Sequence, residues 1–475
     1  VKKLFLNMGL LVMAIHLFVG CSVQENKYRR PNIVLINIDD LGWADTSFMG
    51  SEFYETPHID DLSKQGMLFT NGYASAANCA PSRASLMTGK WVQRHGIYTV
   101  GSSERGKTQN RKLIPIANTN TIKDDFVLLP QILKENGYAT CHAGKWHLSD
   151  DPLKKGFDVN IGGSHVGHPS SYYPPYGNVN LEATDKRLTD LVMDKTIDFI
   201  DSVSGPFFVN YSPYAVHTPI QPVDKLLEKY RAKQGPKGAS NADYATMVQN
   251  LDQNIARLVD ALKNNGAFEN TFIVFTSDNG GLFAVSDQHP LRSGKGSYYE
   301  GGIRVPFFFL WKNKIKPHQK SKEPISNLDI FPTLLKVAGI TKPNGLQLDG
   351  MDLCGLLVNN ERSKERALFW HFPIYLQAVR KKNENRDMMF RTRPGSVIRQ
   401  GKWKLHYYYE DNAVELYDLE DDPSEQLELS QLNMEKTDEL KYKLSDWLEK
   451  TKAPIPKLLN PEFRANAKSE IIKNQ

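Results

Sequence analysis

Four short apolar runs, each ending in a cluster of polar or charged residues, constrain this chain more than any other feature. Residues 33–38 end in Asp39-Asp40. Residues 138–143 run into Gly144-Lys145-Trp146-His147. Residues 206–211 lead to Ser212 and on to His217, and residues 271–276 close on Ser277-Asp278-Asn279-Gly280-Gly281. Runs of this length, rich in β-branched and aromatic residues, predict strands buried on both faces, as in a parallel sheet. Helical patterns separate them. Residues 128–136 form one, stopped by Gly137. Residues 244–264 place Val248, Leu251, Ile255, Leu258 and Leu262 close to a single face, and residues 328–337 form a third. Strands alternating with helices predict an α/β layered sheet with helices on both faces. In such sheets ligands bind beyond the carboxyl ends of the strands, where these polar clusters fall.

The pattern changes after about residue 370. Residues 396–399, 403–408 and 413–417 alternate and are separated by Gly401 and by Glu410-Asp411-Asn412, which predicts an antiparallel meander. Leu440, Leu444, Trp447 and Leu448 mark one amphipathic helix after it. The chain of 475 residues is too long for one ordinary core. It divides into a main domain at 31–370 and a small α+β C-terminal domain at 371–475, preceded by a leader at 1–20 and a tether at 21–30.

In the leader, Lys2 and Lys3 precede an almost wholly apolar stretch that ends Val19-Gly20-Cys21. A small residue before cysteine at the end of such a stretch resembles the lipobox of bacterial lipoproteins. It implies lipid on Cys21, membrane anchoring and a place in the cell envelope, at the periplasm or the surface. The alternative is a plain signal peptide with an incidental cysteine. A net charge of +5 is small for this length and gives no case for a nucleic-acid partner. Of the four cysteines, Cys141 and Cys354 have no assigned role. They could pair, but two unpaired buried thiols are the expected state.

Several residues carry chemistry. Asp39, Asp40, Asp278 and Asn279 offer hard oxygen ligands of the kind calcium and magnesium take, although acids after strands also serve as helix N-caps. Lys145 and His147, two apart on an extended segment, point to one side. His217 lies in Ala215-Val216-His217-Thr218-Pro219, and Lys295 in Gly294-Lys295-Gly296. Ser164 and His165 follow Gly162-Gly163, and with His168 and Arg292 they are candidates for contact with a substrate. The most specific stretch is Cys79-Ala80-Pro81-Ser82-Arg83, trailed by Leu86-Met87-Thr88-Gly89.

Cys-x-Pro-Ser-Arg with a trailing Thr-Gly resembles the signature of the formylglycine-dependent sulfatases. The matching motifs occur in the family's order over roughly residues 31–450. The resemblance implies an alkaline-phosphatase-like fold. It implies that a maturase oxidises Cys79 to formylglycine, whose hydrated form is the nucleophile. It implies one calcium ion held by Asp39, Asp40, Asp278, Asn279 and the modified residue 79. Arg83, Lys145 and Lys295 would hold the sulfate. His217 or Lys295 would protonate the departing alcohol, and His147 would help restore the aldehyde. The implied partner is a sulfated glycan. The stretch from Pro290 to Gly302 resembles the arylsulfatase B type, which implies 4-sulfated galactose or N-acetylgalactosamine. Two competing expectations are a phosphonate or phosphate-ester hydrolase of the same superfold and a catalytically silent glycan-binding lipoprotein.

Overall fold

The computed structural model describes residues 30–362, 364–378 and 384–465. The leader, Cys21 and nearly all of the tether lie outside the described residues. Eight strands form the main sheet in the order β5 (Val159–Ile161), β4 (Ala139–Gly144), β6 (Phe207–Ser212), β1 (Asn32–Ile38), β7 (Thr271–Ser277), β8 (Phe307–Trp311), β2 (Met67–Phe69) and β9 (Gln319–Ser321). The five from β5 to β7 are parallel, with Leu35 of β1 between Asn210 and Val274. The sheet is mixed rather than wholly parallel. β8 runs antiparallel to both β7 and β2, and β9 lies parallel to β2.

Every residue of β1 is buried, which explains its lack of polar alternation. Val34, Ile36 and Ile38 face one side and pack with the helices Leu188–Ser202 and Ala242–Asn264. Ile33 and Leu35 face the other and pack with Leu129–Glu135, Cys79–Thr88 and Ile330–Val337. Each side chain alternates across the sheet, so two cores form from one continuous apolar run. A short parallel pair, β3 (Gly72–Tyr73) with β10 (Ile325–Ser326), lies apart from this sheet. No helix among the described residues is long and apolar enough to cross a membrane.

The C-terminal sheet is antiparallel, in the order β11 (Ala367–Phe372), β14 (Gly395–Gln400), β15 (Trp403–Tyr408), β16 (Val414–Asp418). The helix Met434–Lys450 packs Leu440, Leu444, Trp447 and Leu448 over Ile398, Leu405 and Leu416. β11 begins before residue 371, so the boundary expected there falls inside a strand. The run Ala367-Leu368-Phe369-Trp370 is apolar throughout and reads like the main-sheet strands; only its pairing with β14 assigns it. A ribbon of β12 (Leu376–Gln377) and β13 (Phe390–Thr392) meets the main domain at Lys295 and Gly296.

The two halves are fastened by buried charge. Glu300 begins the short helical turn Glu300–Ile303 of the main domain. Its Oε1 accepts from Lys404 Nζ of β15 at 2.9 Å, and its Oε2 accepts from Tyr73 Oη at 2.7 Å. Lys404 also pairs with Glu425 at 2.9 Å, whose Oε2 accepts from the Glu300 backbone N–H at 2.6 Å.

Candidate active site

Parallel strands deliver their carboxyl ends to one place, and there the predicted residues meet. Asp39 and Asp40 follow β1, Lys145 and His147 follow β4, His217 follows β6, and Asp278 and Asn279 follow β7. Cys79 enters from the side, at the first position of its helix after Asn78. Ligand atoms of Asp39, Asp40, Cys79 and Asp278 all lie within 4.8 Å of one another, and all four residues are buried.

Three cations answer the three carboxylates. Lys145 Nζ donates to both oxygens of Asp39 at 2.7 and 2.8 Å. Lys295 Nζ donates to Asp40 Oδ2 at 2.7 Å. Arg83 Nε donates to Asp278 Oδ2 at 2.8 Å, its Nη1 donates to the Lys145 carbonyl at 2.8 Å, and its Nη2 lies 3.5 Å from Asp39. Burial pushes Asp39 up to about 7 against the pull of Lys145, with Asp278 and Asp40 adding to the rise. Burial would raise Asp40 too, but Lys295, His217 and Lys145 hold it below the usual carboxylate range.

The local backbone is shaped for this convergence. Asp40 and His147 take left-handed conformations, with φ of 58° and 62°. Gly144 has φ of 100°, and a Cβ there would lie 2.1 Å from the Ser212 carbonyl oxygen, so only glycine lets β4 pass β6 so closely before Lys145.

Cys79 Sγ sits 3.7 Å from Asp40 Oδ1. Burial pushes the thiol up to about 12, so the unmodified side chain carries no thiolate and is a poor nucleophile at neutral pH. His147 is held neutral, well below its ordinary value, by burial and then by Lys145 and Arg83, and its Nδ1 is buried with no hydrogen-bond partner. His217 is lowered to about 3 by burial and by Lys295. Its Nδ1 lies 2.9 Å from the Thr218 carbonyl and therefore carries the hydrogen, leaving Nε2, 3.5 Å from Asp40 Oδ2, as the nitrogen that exchanges protons.

The donor set decides whether a divalent ion fits. Three carboxylates and an amide oxygen are hard ligands. Asn279 donates its Nδ2 to Asp40 Oδ1 at 2.8 Å, while its Oδ1 is buried without a partner. An orphaned acceptor beside three clustered carboxylates is costly unless a cation meets it. These residues fit such an ion.

The less specific candidates divide. His168 joins the site, stacked on His217 with centroids 5.5 Å apart. The Ser164 carbonyl accepts from the His147 backbone N–H at 2.8 Å. His165 does not join; its side chain is 69% exposed and meets Asp150 at 3.0 Å. Arg292, expected at the sugar, turns to the C-terminal half instead. Its guanidinium stacks 3.8 Å from the Tyr299 ring centroid and donates to the Glu384 carbonyl at 2.7 Å, the Glu425 carbonyl at 2.8 Å and Tyr417 Oη at 3.2 Å. Cys141 and Cys354 are free thiols, Cys141 buried and Cys354 partly so.

Sequence reading missed the brace behind the carboxylates. Asp45 accepts from Ser286 Oγ at 2.6 Å, Gln288 Nε2 at 3.1 Å, Tyr244 Oη at 2.7 Å and the Gly42 N–H at 2.8 Å. It ties the loop after β1 to the loop after β7. Nothing in Gly42-Trp43-Ala44-Asp45 distinguishes it from a surface turn.

Comparison with known proteins agrees with this arrangement. The profile of the family described as Sulfatase matches residues 31–340, and that described as N-sulphoglucosamine sulphohydrolase, C-terminal, matches residues 294–454. A protein of Formosa agariphila named Sulfatase is 32% identical, over 94% of this chain and 93% of its own. The human N-acetylgalactosamine-6-sulfatase is 31% identical, over 72% of this chain and 68% of its own. The solved structure of Ps i-CgsB in complex with k-i-k-neocarrahexaose superposes with a TM-score of 0.73 at 29% identity, covering 94% of this chain and 97% of its own. With the alkaline-phosphatase-like fold and these relatives together, the chain belongs to the sulfatase family and is a sulfuric ester hydrolase.

Proposed function

We propose that the chain is a carbohydrate sulfatase using formylglycine at position 79 and one calcium ion, and that it acts on galactose-configured sugars. The observation that carries the reading is the convergence of Cys79, three carboxylates and three side-chain cations at the ends of four strands. The sugar rests on a relative named for N-acetylgalactosamine sulfate and on the stretch Pro290 to Gly302. That stretch favours the 4-sulfate, whereas the mammalian relatives are named for the 6-sulfate. Envelope anchoring through Cys21 belongs to the same proposal and rests on residues 2–21 alone.

Asp39, Asp40, Asp278 and Asn279, with residue 79, would hold the ion, which supplies Lewis-acid polarisation of the ester. Formylglycine at 79 supplies a hydrated aldehyde as nucleophile. The remaining work falls to residues in place. Arg83, Lys145 and Lys295 supply fixed positive charge where a sulfate ester gathers negative charge as its bond breaks. Arg83 and Lys145 are buried and Lys295 is mostly so, and all three are already oriented, so little reorganisation is needed. His147, neutral with an unpartnered Nδ1, is placed to accept a proton. His217 presents Nε2 beside Lys295. A negatively charged ester raises the proton affinity of this imidazole, which then suits it to protonate the departing oxygen.

The test is a panel of sulfated mono- and disaccharides assayed beside phosphate monoesters, on enzyme made in a host with a maturase. Turnover of a 4-sulfated galactose-type sugar above its 6-sulfated isomer, with formylglycine seen by mass in the Cys79 peptide, is the expected result. Preference for phosphate esters would overturn the sulfatase chemistry; preference for 6-sulfate would overturn only the regiochemistry.

A further inference from the structure

Two arginines stand beside the sulfate-binding cations with no role in that chemistry. Arg391 lies on β13, and its Nη1 donates to the Lys295 carbonyl at 3.0 Å while its Nε donates to the Gln377 carbonyl at 3.1 Å. Lys295 is the residue whose side chain meets Asp40. The stitching continues on both sides. Thr392 Oγ1 donates to the Gly296 carbonyl, and the Gly296 N–H donates to Ala77 at 2.7 Å, two residues before Cys79. A Cβ on Gly296 would lie 3.1 Å from Arg391 Nη1. The ribbon of β12 and β13 is thus held against the loop that carries Lys295.

Arg105 lies on a segment that packs on the same ribbon. Glu104 bridges to Tyr375, and the Tyr375 N–H donates to the Ser103 carbonyl at 2.9 Å. A Cβ on Gly106 would lie 2.8 Å from Phe390 and 3.5 Å from Gln377. Arg105 therefore sits between two residues packed on the ribbon that carries Arg391, and it is half-buried. Arg391 gives its Nε and Nη1 to backbone carbonyls, not to a carboxylate, and no carboxylate offsets the effect of burial on Arg105. Burial lowers Arg391 to about 10, with the charge of Arg105 adding to the effect and Asp40 and Cys79 partly opposing it. Burial likewise lowers Arg105. Two like charges that disfavour each other at partial burial, on segments packed against one ribbon, are relieved when an anion joins them.

We infer that Arg105 and Arg391 form a subsite for a second anionic group of the substrate, beside the sulfate that is hydrolysed. The inference rests on the sulfatase reading and narrows it to sugars carrying two negative groups. A neighbouring sulfate ester and a uronic-acid carboxylate share the required chemistry, since a planar guanidinium fork matches either.

Binding and turnover separate this inference from the reading beneath it. Turnover of any sulfate ester by the wild-type enzyme tests the sulfatase reading. Calorimetric binding by Cys79→Ala protein, loaded with calcium, tests the subsite. Three ligands are compared: a monosulfated N-acetylgalactosamine, its disulfated form, and the monosulfated sugar linked to a hexuronate. At least one of the two doubly charged ligands should bind about tenfold more tightly than the singly charged one, and Arg105→Gln in this background should remove about tenfold of that advantage. Preference for only one of the two doubly charged ligands identifies the anion. Arg391 also anchors two backbone carbonyls, so Arg105→Gln is the cleaner variant; Arg391→Lys, which keeps charge but not the fork, should lower the advantage less than Arg391→Gln. Equal affinity for all three ligands, or an advantage unchanged by Arg105→Gln and Arg391→Gln, would overturn the inference.

Discussion

Lys295 and Glu300 belong to one stretch of chain, yet each anchors a different buried cluster of charge. Lys295 belongs to the site at the strand ends, with Asp39, Asp40, Asp278, Arg83 and Lys145. Glu300 belongs to the fastener between the two halves, with Lys404, Glu425 and His406. Both clusters pay desolvation and recover it through ion pairs. They differ in closure at their centres, although Arg399, which donates to Tyr73 of the fastener, also keeps a buried Nε without a partner. In the fastener, both Glu300 oxygens and both Glu425 oxygens have protein partners. In the site, Asn279 Oδ1, His147 Nδ1 and Arg83 Nη2 are buried without hydrogen-bond partners. A closed network holds parts together, whereas an open one is a receptor. Damage to the first should therefore register as lost stability and damage to the second as lost activity.

The largest expected effect is that of Cys79→Ala. Removing a nucleophile costs about six orders of magnitude in kcat where this has been dissected in a serine hydrolase, so turnover should fall below detection. The helix packing around residue 79 is unchanged by loss of one sulfur, and the denaturation midpoint should stay within about 1 kcal/mol of wild type. Measurable turnover, or a large stability loss, would break the distinction between the two clusters.

His217→Ala comes next. Losing a general acid costs about two to four orders of magnitude. The deficit should approach the upper end for sugar alcohols, which leave poorly without a proton, and be smaller for nitrophenyl sulfate. Equal deficits on the two substrates would show that His217 binds rather than protonates.

His217 was legible in the sequence for a physical reason, whereas Cys79, at the start of a helix, was picked out by its motif alone. Strands buried on both faces leave a plain apolar record, and the polar residues just beyond their carboxyl ends have nowhere to be but the ligand crevice. Thus Asp39, Lys145, His217 and Asp278 were found from position as well as from resemblance. The fastener left no such record. Glu300 and Lys404 lie 104 residues apart, and a lysine in an alternating strand reads as its solvent face. Lys404 is instead fully buried. The contacts of Arg292 were hidden for the same reason, because long-range partners such as Tyr417 and Glu425 cannot be read from a local motif. β8 escaped because the unbroken run Phe307–Trp311 shows burial and not direction.

Glu300→Gln tests the fastener. Breaking a buried pair by removing one charge costs about 3–5 kcal/mol; the lower end is expected, since Lys404 keeps Glu425. Burial would raise Glu300, but Lys404, Arg304 and Arg399 depress it from 4.5 to about 2. A depressed carboxyl contributes stability that is fully present above its unfolded value and is lost as pH falls through its folded value. The stability gap between wild type and variant should thus be widest above about pH 4.5 and close toward pH 2. Denaturant midpoints measured across that window give the answer. A gap independent of pH would mean that shape, not charge, makes the contact.

Arg292→Ala should have the smallest effect, and it discriminates most finely because Arg292 lies on the same loop as Lys295 but donates to the fastener. If its guanidinium serves only Tyr299, Tyr417 and the Glu384 and Glu425 carbonyls, removing it forfeits a stacked cation and up to three hydrogen bonds. About 1–2 kcal/mol of stability should go with them. The loop carrying Lys295 would loosen slightly, and activity would drop by the same factor on a sulfated glycan and on nitrophenyl sulfate, because neither leaving group meets Arg292. A residue that touched the sugar would give the opposite pattern: an intact midpoint and a raised KM for the glycan alone. That outcome would return Arg292 to the site and show that the two clusters share a residue, in which case closing the domain interface and binding the sugar are one event rather than two.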